Sequence, residues 1–390
     1  MSGRLRRTGS RLQYGSYLPP VLRTHRPARR RAPLRWWAAG ALLGVMVLAA
    51  IVAGVRACRK PEEVAVIPPE PEPEPAGLVY TPPTDQANLL DVESAEVFMP
   101  TASGRVQSAH FGSTRTVQRS GRLVPSFHEG IDIAPMRRDR TGRPLDDVYA
   151  VADGRVGYIN AHAGNSTYGI YVVLLHDDPV GEIYTLYGHL ASVAEGLRVG
   201  RAVERGETIG RMGNTSTLRI PMVRAHLHFE IGTLMNRRFD RWLRARGLPP
   251  NHGRFHGWNL RGIDPVEVYR AQARDGRFSL LDWAQAATPA FEVVLRVEKP
   301  LDVFERHPRL WSGPRVAQGA IVLSALEGGF ITAGRAATPE EEARLGRDTA
   351  AVLRADPERL GRNARRIVTR DGADWTLGRY GREWVEKLVY

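Results

Sequence analysis

Cysteine is nearly absent from this chain of 390 residues, which contains a single one, Cys58. One thiol cannot form an intrachain disulfide, so a disulfide-stapled fold is excluded. Lipid modification of Cys58 is an alternative, but Arg56 and the long apolar run before it argue against that reading. We therefore expect an inert thiol at this position.

Acidic residues are absent from the first 60 positions, where ten arginines precede Trp36 and are followed by Arg56, Arg59 and Lys60. The whole chain has 55 Lys and Arg against 42 Asp and Glu, so residues 61–390 carry 42 of each sign and no net charge. A nucleic-acid-binding domain would need a clustered basic face in that large part. We expect no nucleic-acid partner.

Charge is also missing from residues 36–55, which are almost entirely apolar. Twenty such residues in a helix span about 30 Å, the thickness of the hydrocarbon core of a bilayer, whereas a cleavable signal peptide has a shorter apolar core. Because basic residues concentrate on the N-terminal side, residues 1–35 are predicted to form a cytoplasmic tail. The sequence thus predicts a single-pass transmembrane signal anchor in the inner (cytoplasmic) membrane, with residues 61–390 periplasmic or otherwise extracytoplasmic. A buried core helix is the alternative.

Beyond the predicted anchor, an acidic, proline-rich stretch at residues 61–77 predicts a semi-rigid linker. From 101 to 232, short apolar runs alternate with glycine-rich turn signals, as in antiparallel hairpins. This pattern predicts a mainly β domain built from an antiparallel sheet or sandwich.

The remainder of the exterior part changes character along the chain. Residues 233–262 resemble a long loop or a short helix plus loop, and residues 263–287 are partly helical in pattern. A strand-like run opens a small α+β region of unassigned role, whose protein partner, if it has one, the sequence does not identify. The predicted division is a domain at 78–287, with a core at 99–232 and an insert at 233–262, followed by a C-terminal region at 288–390.

Histidines and carboxylates recur in short motifs inside the β region. His128 and Asp132 belong to His-Glu-Gly-Ile-Asp, and His226 and His228 to His-Leu-His. On a strand, a period of two points both rings of the second motif to one face. His128 and Asp132 would lie about 13 Å apart if fully extended, so the chain must bend between them, and Gly130 can provide the bend. Imidazole and carboxylate ligands suit one zinc ion with an open coordination position.

No His-Glu-x-x-His motif occurs in the sequence. A metalloprotease with a glutamate base on a helix is therefore excluded. Proton transfer must fall to another group, and a histidine, with an ordinary pKa of about 6.5, is suited to it.

The motifs resemble those of the lysostaphin/LytM-type zinc metalloendopeptidases, which cut peptide cross-bridges in bacterial peptidoglycan. The resemblance covers about residues 99–232 and includes Ser108–Gly112, His128–Asp132, Val151–Val156, Tyr187–Leu190, Gly206–Gly210 and His226–Glu230. It implies a LytM-like fold and one bound zinc ion. It also implies that His128, Asp132 and His228 are metal ligands and that His189 and His226 are catalytic, with base and acid roles that could be exchanged.

The chain departs from the family pattern in two places, residues 213–225 and the 233–262 insert. Three functions remain to be compared: a membrane-anchored zinc endopeptidase with peptidoglycan as substrate, a non-catalytic LytM-like regulator of a cell-wall hydrolase, and a biotinyl/lipoyl-like carrier module, which would leave the histidines unexplained. Two acids beside the motifs, Glu129 and Glu230, are expected to face away from the site. Five other histidines are expected to be solvated: His110, His162, His252, His256 and His307.

Overall fold

The computed structural model describes residues 77–119, 122–361 and 365–390. The described residues form one compact unit. The predicted tail, the anchor at 36–55 and all but the last residue of the 61–77 linker lie outside the described ranges. Within those ranges, no helix has the length and apolar character needed to cross a bilayer.

Twelve strands precede residue 264 in the described part of the chain, as expected from the recurring short apolar runs. They are β1 (Thr114–Arg119), β2 (Arg122–Phe127), β3 (Ile131–Ile133), β4 (Asp147–Tyr149), β5 (Gly154–Asn160), β6 (Ile170–Asp178), β7 (Gly181–Leu190), β8 (Ser192–Val193), β9 (Ala202–Val203), β10 (Thr208–Arg211), β11 (Leu227–Leu234) and β12 (Leu260–Ile263).

A seven-stranded sheet, paired in antiparallel fashion, forms the centre, in the order β12-β11-β7-β6-β5-β9, with β3 paired to β11. A three-stranded sheet, β4-β10-β8, and the β1–β2 hairpin complete this part. The predicted mainly β fold with antiparallel sheets is confirmed.

Strand β11 shows why the His-Leu-His motif lies where it does. All eight of its residues are buried, so both faces of the strand are covered. Leu227, Phe229 and Ile231 point into the main hydrophobic core. The period of two then turns His228 and Glu230 to the opposite face, where the candidate site lies.

Among the described residues, the α-helices lie in the insert and in the C-terminal part of the chain. They are α1 (Phe239–Ala245), α2 (Pro265–Asp275), α3 (Leu280–Ala286), α4 (Asp302–Arg306), α5 (Pro339–Ala343), α6 (Pro357–Gly361) and α7 (Arg379–Val389). The predicted short helix of the insert is α1, and the predicted partly helical stretch contains α2 and α3. Each of α2 and α3 begins at a side-chain cap, Asp264 and Ser279 respectively, which satisfies backbone N–H groups of the first turn.

The C-terminal region is α+β, as expected. Its strands are β13 (Phe291–Val297), β14 (Trp311–Ser312), β15 (Gly319–Ala325), β16 (Ile331–Ala336), β17 (Ala350–Ala355), β18 (Val368–Asp371) and β19 (Asp374–Leu377). They form a five-stranded sheet, β14-β16-β15-β13-β17, and a β18–β19 pair. One continuous core joins this region to the main sheet, because Phe229, Phe291 and Trp384 belong to the same buried cluster. The domain division at residue 288 stays a prediction.

The expectation of five solvated histidines is wrong for most of them. His252 and His307 are buried, His110 and His256 are half-buried, and only His162 of the five is exposed. Burial of His252 is tolerated because both ring nitrogens have hydrogen-bond partners, the Tyr158 hydroxyl at 3.0 Å and the Asn165 carbonyl at 2.9 Å. The insert thereby packs onto the sheet beside the candidate site.

Candidate metal centre and active site

Strand register brings two of the predicted ligands face to face. In the β3–β11 pair Asp132 lies directly opposite His228, and in the β11–β7 pair His228 lies opposite Gly188, next to His189. Cross-strand partners have Cβ atoms about 4.5–5.5 Å apart. Strand pairing therefore brings Asp132 and His228 together, although they are almost a hundred positions apart in the sequence.

The bend predicted between His128 and Asp132 is confirmed, and it lies at Gly130. The reason is crowding rather than a left-handed backbone. A Cβ atom at this position would lie 2.1 Å from the carbonyl oxygen of Phe229, a contact that no side chain can tolerate. Close approach to β11 thus requires glycine, and the bend brings the His128 ring back onto Asp132.

His128, Asp132 and His228 present three donor atoms in a small triangle. His128 Nε2 lies 3.0 Å from Asp132 Oδ1 and 3.1 Å from His228 Nδ1, and His228 Nδ1 lies 3.0 Å from Asp132 Oδ1. Ligand atoms about 2.0–2.1 Å from a tetrahedral zinc ion are about 3.3 Å from each other. The triangle is therefore close to the size that zinc requires, and all three residues are buried.

Hydrogen bonds on the outer ring nitrogens decide which nitrogens face the triangle. His128 Nδ1 lies 2.8 Å from the His110 carbonyl, and His228 Nε2 lies 2.9 Å from Glu230 Oε1. Both partners are acceptors, so each neutral ring carries its proton on the outer nitrogen and turns a lone pair inward. Two lone pairs and a carboxylate oxygen thus converge, and a shared cation would remove their mutual repulsion. The residues fit a metal ion.

The two ligand histidines have opposite pKa shifts. Burial and the nearby Arg115 lower the pKa of His128 to about 4. Burial also acts to lower the pKa of His228, but hydrogen bonds to the carboxylates of Asp132 and Glu230 outweigh it and raise that pKa to about 9. The difference follows from the number of acids that each ring touches.

Glu230 was expected to face away from the site, and that expectation is wrong. It follows His228 by two residues on β11, so it shares the same face. Its fully buried carboxylate accepts from His228 Nε2, from the Tyr168 hydroxyl at 2.7 Å and from the Tyr184 hydroxyl at 2.9 Å. Counting the strand period from His228 would have found it. Glu129 behaves differently, because its carboxylate pairs with Arg365 at 2.6 Å and lies outside the triangle.

Arg115 on β1 is a site residue that sequence reasoning missed. Its Nη2 lies 2.5 Å from Asp132 Oδ2, and its Nε donates to the Ser108 carbonyl at 2.7 Å. Burial alone would raise the pKa of Asp132, but Arg115, with His226 and His128, holds that pKa well below its usual range. Asp132 therefore stays ionised and keeps Oδ1 for the triangle. No sequence motif marks Arg115, because only the β1–β2 hairpin brings it there.

His189 and His226 form a second pair beside the triangle. Their ring centroids are 4.8 Å apart, and His226 Nε2 lies 3.4 Å from Asp132 Oδ2. Each donates Nδ1–H to a backbone carbonyl, His189 to Thr215 at 2.8 Å and His226 to Arg224 at 2.7 Å. Each neutral ring therefore offers its Nε2 lone pair. The structure brings all five predicted residues together.

Backbone and burial set the properties of this histidine pair. His189 has a φ of +61°, a left-handed conformation that costs a non-glycine residue free energy and is common at functional sites. Burial lowers the pKa of His226. Burial, together with His226 and His228, lowers the pKa of His189 well below its ordinary value. Both rings are consequently neutral acceptors at neutral pH.

Comparison with known proteins agrees with this geometry. Residues 126–240 match the profile of Peptidase family M23, a family of metal-dependent peptidases. A comparison with curated proteins gives no match. The resemblance to lysostaphin/LytM-type peptidases, predicted from the motifs, is confirmed for this part of the chain.

Several solved structures are also similar to the chain. A zinc-containing peptidase from Vibrio cholerae is 26% identical, over 41% of this chain and 35% of that one, with a TM-score of 0.25. The catalytic domain of the antimicrobial peptidase lysostaphin from Staphylococcus simulans is 25% identical, over 32% of this chain and 76% of that one, with a TM-score of 0.23. LytU is 27% identical, over 32% of this chain and 70% of that one, with a TM-score of 0.23. The chain thus spans about a third of the length of the first of these structures.

Proposed function

We propose that this protein is a membrane-anchored zinc metalloendopeptidase that hydrolyses peptide cross-links in bacterial peptidoglycan. One observation supports the proposal above the others. Three possible ligand atoms, from His128, Asp132 and His228, lie within 3.1 Å of each other, beside two histidines that are each held with Nδ1–H on a backbone carbonyl. A regulator that only binds other proteins has no need for either arrangement.

The donor set itself favours zinc. Two imidazole nitrogens and one carboxylate oxygen are the ligand types of catalytic zinc sites, which keep a further position open for water or substrate. Bound there, zinc supplies Lewis-acid activation of water and of the scissile carbonyl. Asp132 would give one oxygen to the ion, since Arg115 occupies the other.

His189 and His226 would carry the protons. Each is held with Nδ1–H on a backbone carbonyl, so its Nε2 can accept a proton without a change of tautomer. One ring would take the proton of the attacking water at Nε2 and become an imidazolium, and that proton, held on this ring or passed to the Nε2 of the other, would then go to the leaving amine nitrogen. General acid and base catalysis of this kind contributes about a hundredfold to ten thousandfold in rate.

The decisive experiment uses purified sacculi and the full-length protein. Release of cleaved muropeptides should be abolished by a chelator, restored by added zinc and abolished by His128→Ala. His162→Ala is the matched control, because His162 is exposed and lies outside the site. Cleavage that survives both chelator and His128→Ala would rule out the zinc mechanism. No cleavage and no bound zinc in the wild type would favour the non-catalytic regulator.

We also propose that residues 36–55 anchor the protein in the inner membrane, with residues 61–390 outside the cytoplasm. Support comes from the uncharged apolar run and the arginine-rich segment before it. Cys58, the single cysteine, makes a direct test available. A membrane-impermeant maleimide should label it in intact spheroplasts, and Cys58→Ser should abolish the labelling. Labelling that requires lysis would place this end of the segment inside the cell.

A further inference from the structure

Arg138 lies outside the metal triangle and the histidine pair, yet its guanidinium joins two segments next to them. Its Nη1 donates to the carbonyl oxygens of Gly142 at 2.7 Å and Met222 at 2.9 Å. Its Nη2 donates to those of Val223 at 3.1 Å and Ala225 at 3.2 Å. Hydrogen bonds from a charged donor are stronger than neutral ones, and four of them fix the backbone of both segments.

The segment that Arg138 holds leads directly into His226. A single 3₁₀ turn spans Met222–Arg224, and the Arg224 carbonyl accepts from His226 Nδ1 at 2.7 Å. The same stretch departs from the pattern of the family, so its position cannot depend on the usual residues. Arg138 binds the carbonyls of Val223 and Ala225, on either side of Arg224. It thereby fixes the orientation of the Arg224 carbonyl, which accepts from His226 Nδ1 and so determines the tautomer of His226.

Arg138 is itself held in place from the interior. Asp146 is fully buried, and its carboxylate accepts from the backbone N–H groups of Met136 at 2.8 Å and Arg137 at 3.2 Å. These bonds fix the start of the loop from which Arg138 projects. Asp146 thus anchors the backbone directly before Arg138, and the guanidinium of Arg138 in turn anchors the segment that leads into His226.

We propose that Arg138 is a positioning residue that holds the 222–225 segment so that His226 presents Nε2 to the reacting groups. The expected effect on catalysis rests on the proposed function, whereas the role of Arg138 in orienting His226 does not. Arg138 donates to backbone carbonyls and to none of the three candidate metal ligands, so its loss should lower kcat and leave the zinc affinity and KM nearly unchanged.

The test compares full-length Arg138→Gln and Arg138→Lys with Arg137→Gln. Arg137 is the matched control because its exposed side chain pairs with Asp85 at 3.2 Å, away from the 222–225 segment. We expect kcat on sacculi to fall about tenfold to a hundredfold in Arg138→Gln, the effect of a small misplacement. Arg138→Lys should recover part of the loss, because an ammonium group reaches fewer of the four acceptors. The control should match the wild type.

A second measurement does not depend on turnover. In ¹⁵N spectra of the histidine-labelled protein, assigned with His226→Gln, the wild type should show His226 protonated at Nδ1 and Arg138→Gln should show a mixture of tautomers. Retention of both kcat and the Nδ1–H form in Arg138→Gln would overturn the inference. An inactive wild type would contradict the proposed function alone, since the His226 spectra would still decide the role of Arg138.

Discussion

The metal triangle and the histidine pair lie within a few ångströms of each other but are held by different means. Asp132 and His228 are cross-strand neighbours in the central sheet, and their orientation follows from strand register. His226 lies just before β11, and His189, although it belongs to β7, has a left-handed backbone where the pairing with β6 is irregular. Strand register thus positions two of the three candidate metal ligands, whereas His128 lies in the bend between β2 and β3. Local irregularities of the backbone position the groups that would move protons.

His228 differs from the other three histidines of the site in what binds its outer nitrogen. A buried carboxylate, Glu230, accepts from the ligand His228, whereas backbone carbonyls of Thr215 and Arg224 accept from His189 and His226. A carboxylate makes an imidazole a better metal ligand, while a neutral carbonyl fixes the tautomer without adding charge. Glu230 therefore distinguishes His228 alone, and substitutions at the triangle and at the histidine pair should separate metal binding from proton transfer.

The largest effect is expected from His128→Ala, which removes one corner of the triangle. The protein should lose stoichiometric zinc and retain its fold. Lewis-acid activation is worth several kcal/mol, and about 1.4 kcal/mol corresponds to a factor of ten, so activity should fall about ten thousandfold. Zinc analysis and muropeptide release measure the two consequences. A variant that kept full zinc would show that the triangle is not the metal site.

His226→Ala should separate catalysis from metal binding. We expect zinc content to remain that of the wild type and kcat to fall about a hundredfold to ten thousandfold, the usual contribution of a proton-transfer group. His189→Ala should behave in the same way, and His176→Ala, a buried histidine away from the site, controls for lost packing. Loss of zinc in either catalytic variant would place that histidine among the ligands instead.

Strand period and glycine chemistry account for the part of the site that the sequence predicted. The His-Leu-His spacing placed two rings on one face, and the His128–Asp132 separation demanded a bend at Gly130, which the structure has. The same period of two also places Glu230, two residues beyond His228, on the face of the site, although the prediction assigned Glu230 to the opposite face.

Arg115 and Arg138 could not be predicted in this way, because tertiary contacts alone create their roles. Arg115 reaches Asp132 only because the β1–β2 hairpin folds over the sheet, and Arg138 reaches Ala225 across 87 positions of sequence. Nothing in the local pattern around either arginine distinguishes it from the many solvated ones. The shared core of the main sheet and the C-terminal region could not be predicted either, because it forms by packing between elements that are far apart in the sequence.

A smaller effect is expected from Glu230→Gln, which keeps the shape of the side chain and removes its charge. The amide oxygen can still accept from His228 Nε2 and from the Tyr168 hydroxyl, which share Oε1 in the wild type, but the amide nitrogen in place of Oε2 cannot accept from the Tyr184 hydroxyl. Loss of a carboxylate behind a ligand histidine costs about tenfold to a hundredfold in metal affinity. Competition with a zinc chelator measures the change. An unaltered affinity would show that the ring needs only a neutral acceptor.

The smallest effect is expected from Glu129→Gln, the companion of the previous substitution on the other motif. Glu129 follows a metal ligand directly, but its carboxylate binds Arg365 of the C-terminal region and lies outside the triangle. Partly exposed ion pairs contribute about 0–1 kcal/mol, so the free energy of unfolding should fall by no more than that, and zinc affinity should stay within about twofold. Arg365→Gln should give a larger loss, because its guanidinium also lies 4.7 Å from the centre of the Phe127 ring, and the double variant should lose little more than Arg365→Gln alone, because the ion pair is shared. If Glu129→Gln instead weakened zinc binding as much as Glu230→Gln, the C-terminal region would be controlling the metal ligand His128 through Arg365. The contrast between Asp132 and His228, which strand register positions, and the histidine pair, which irregular backbone positions, would then have to include a ligand positioned from the C-terminal region.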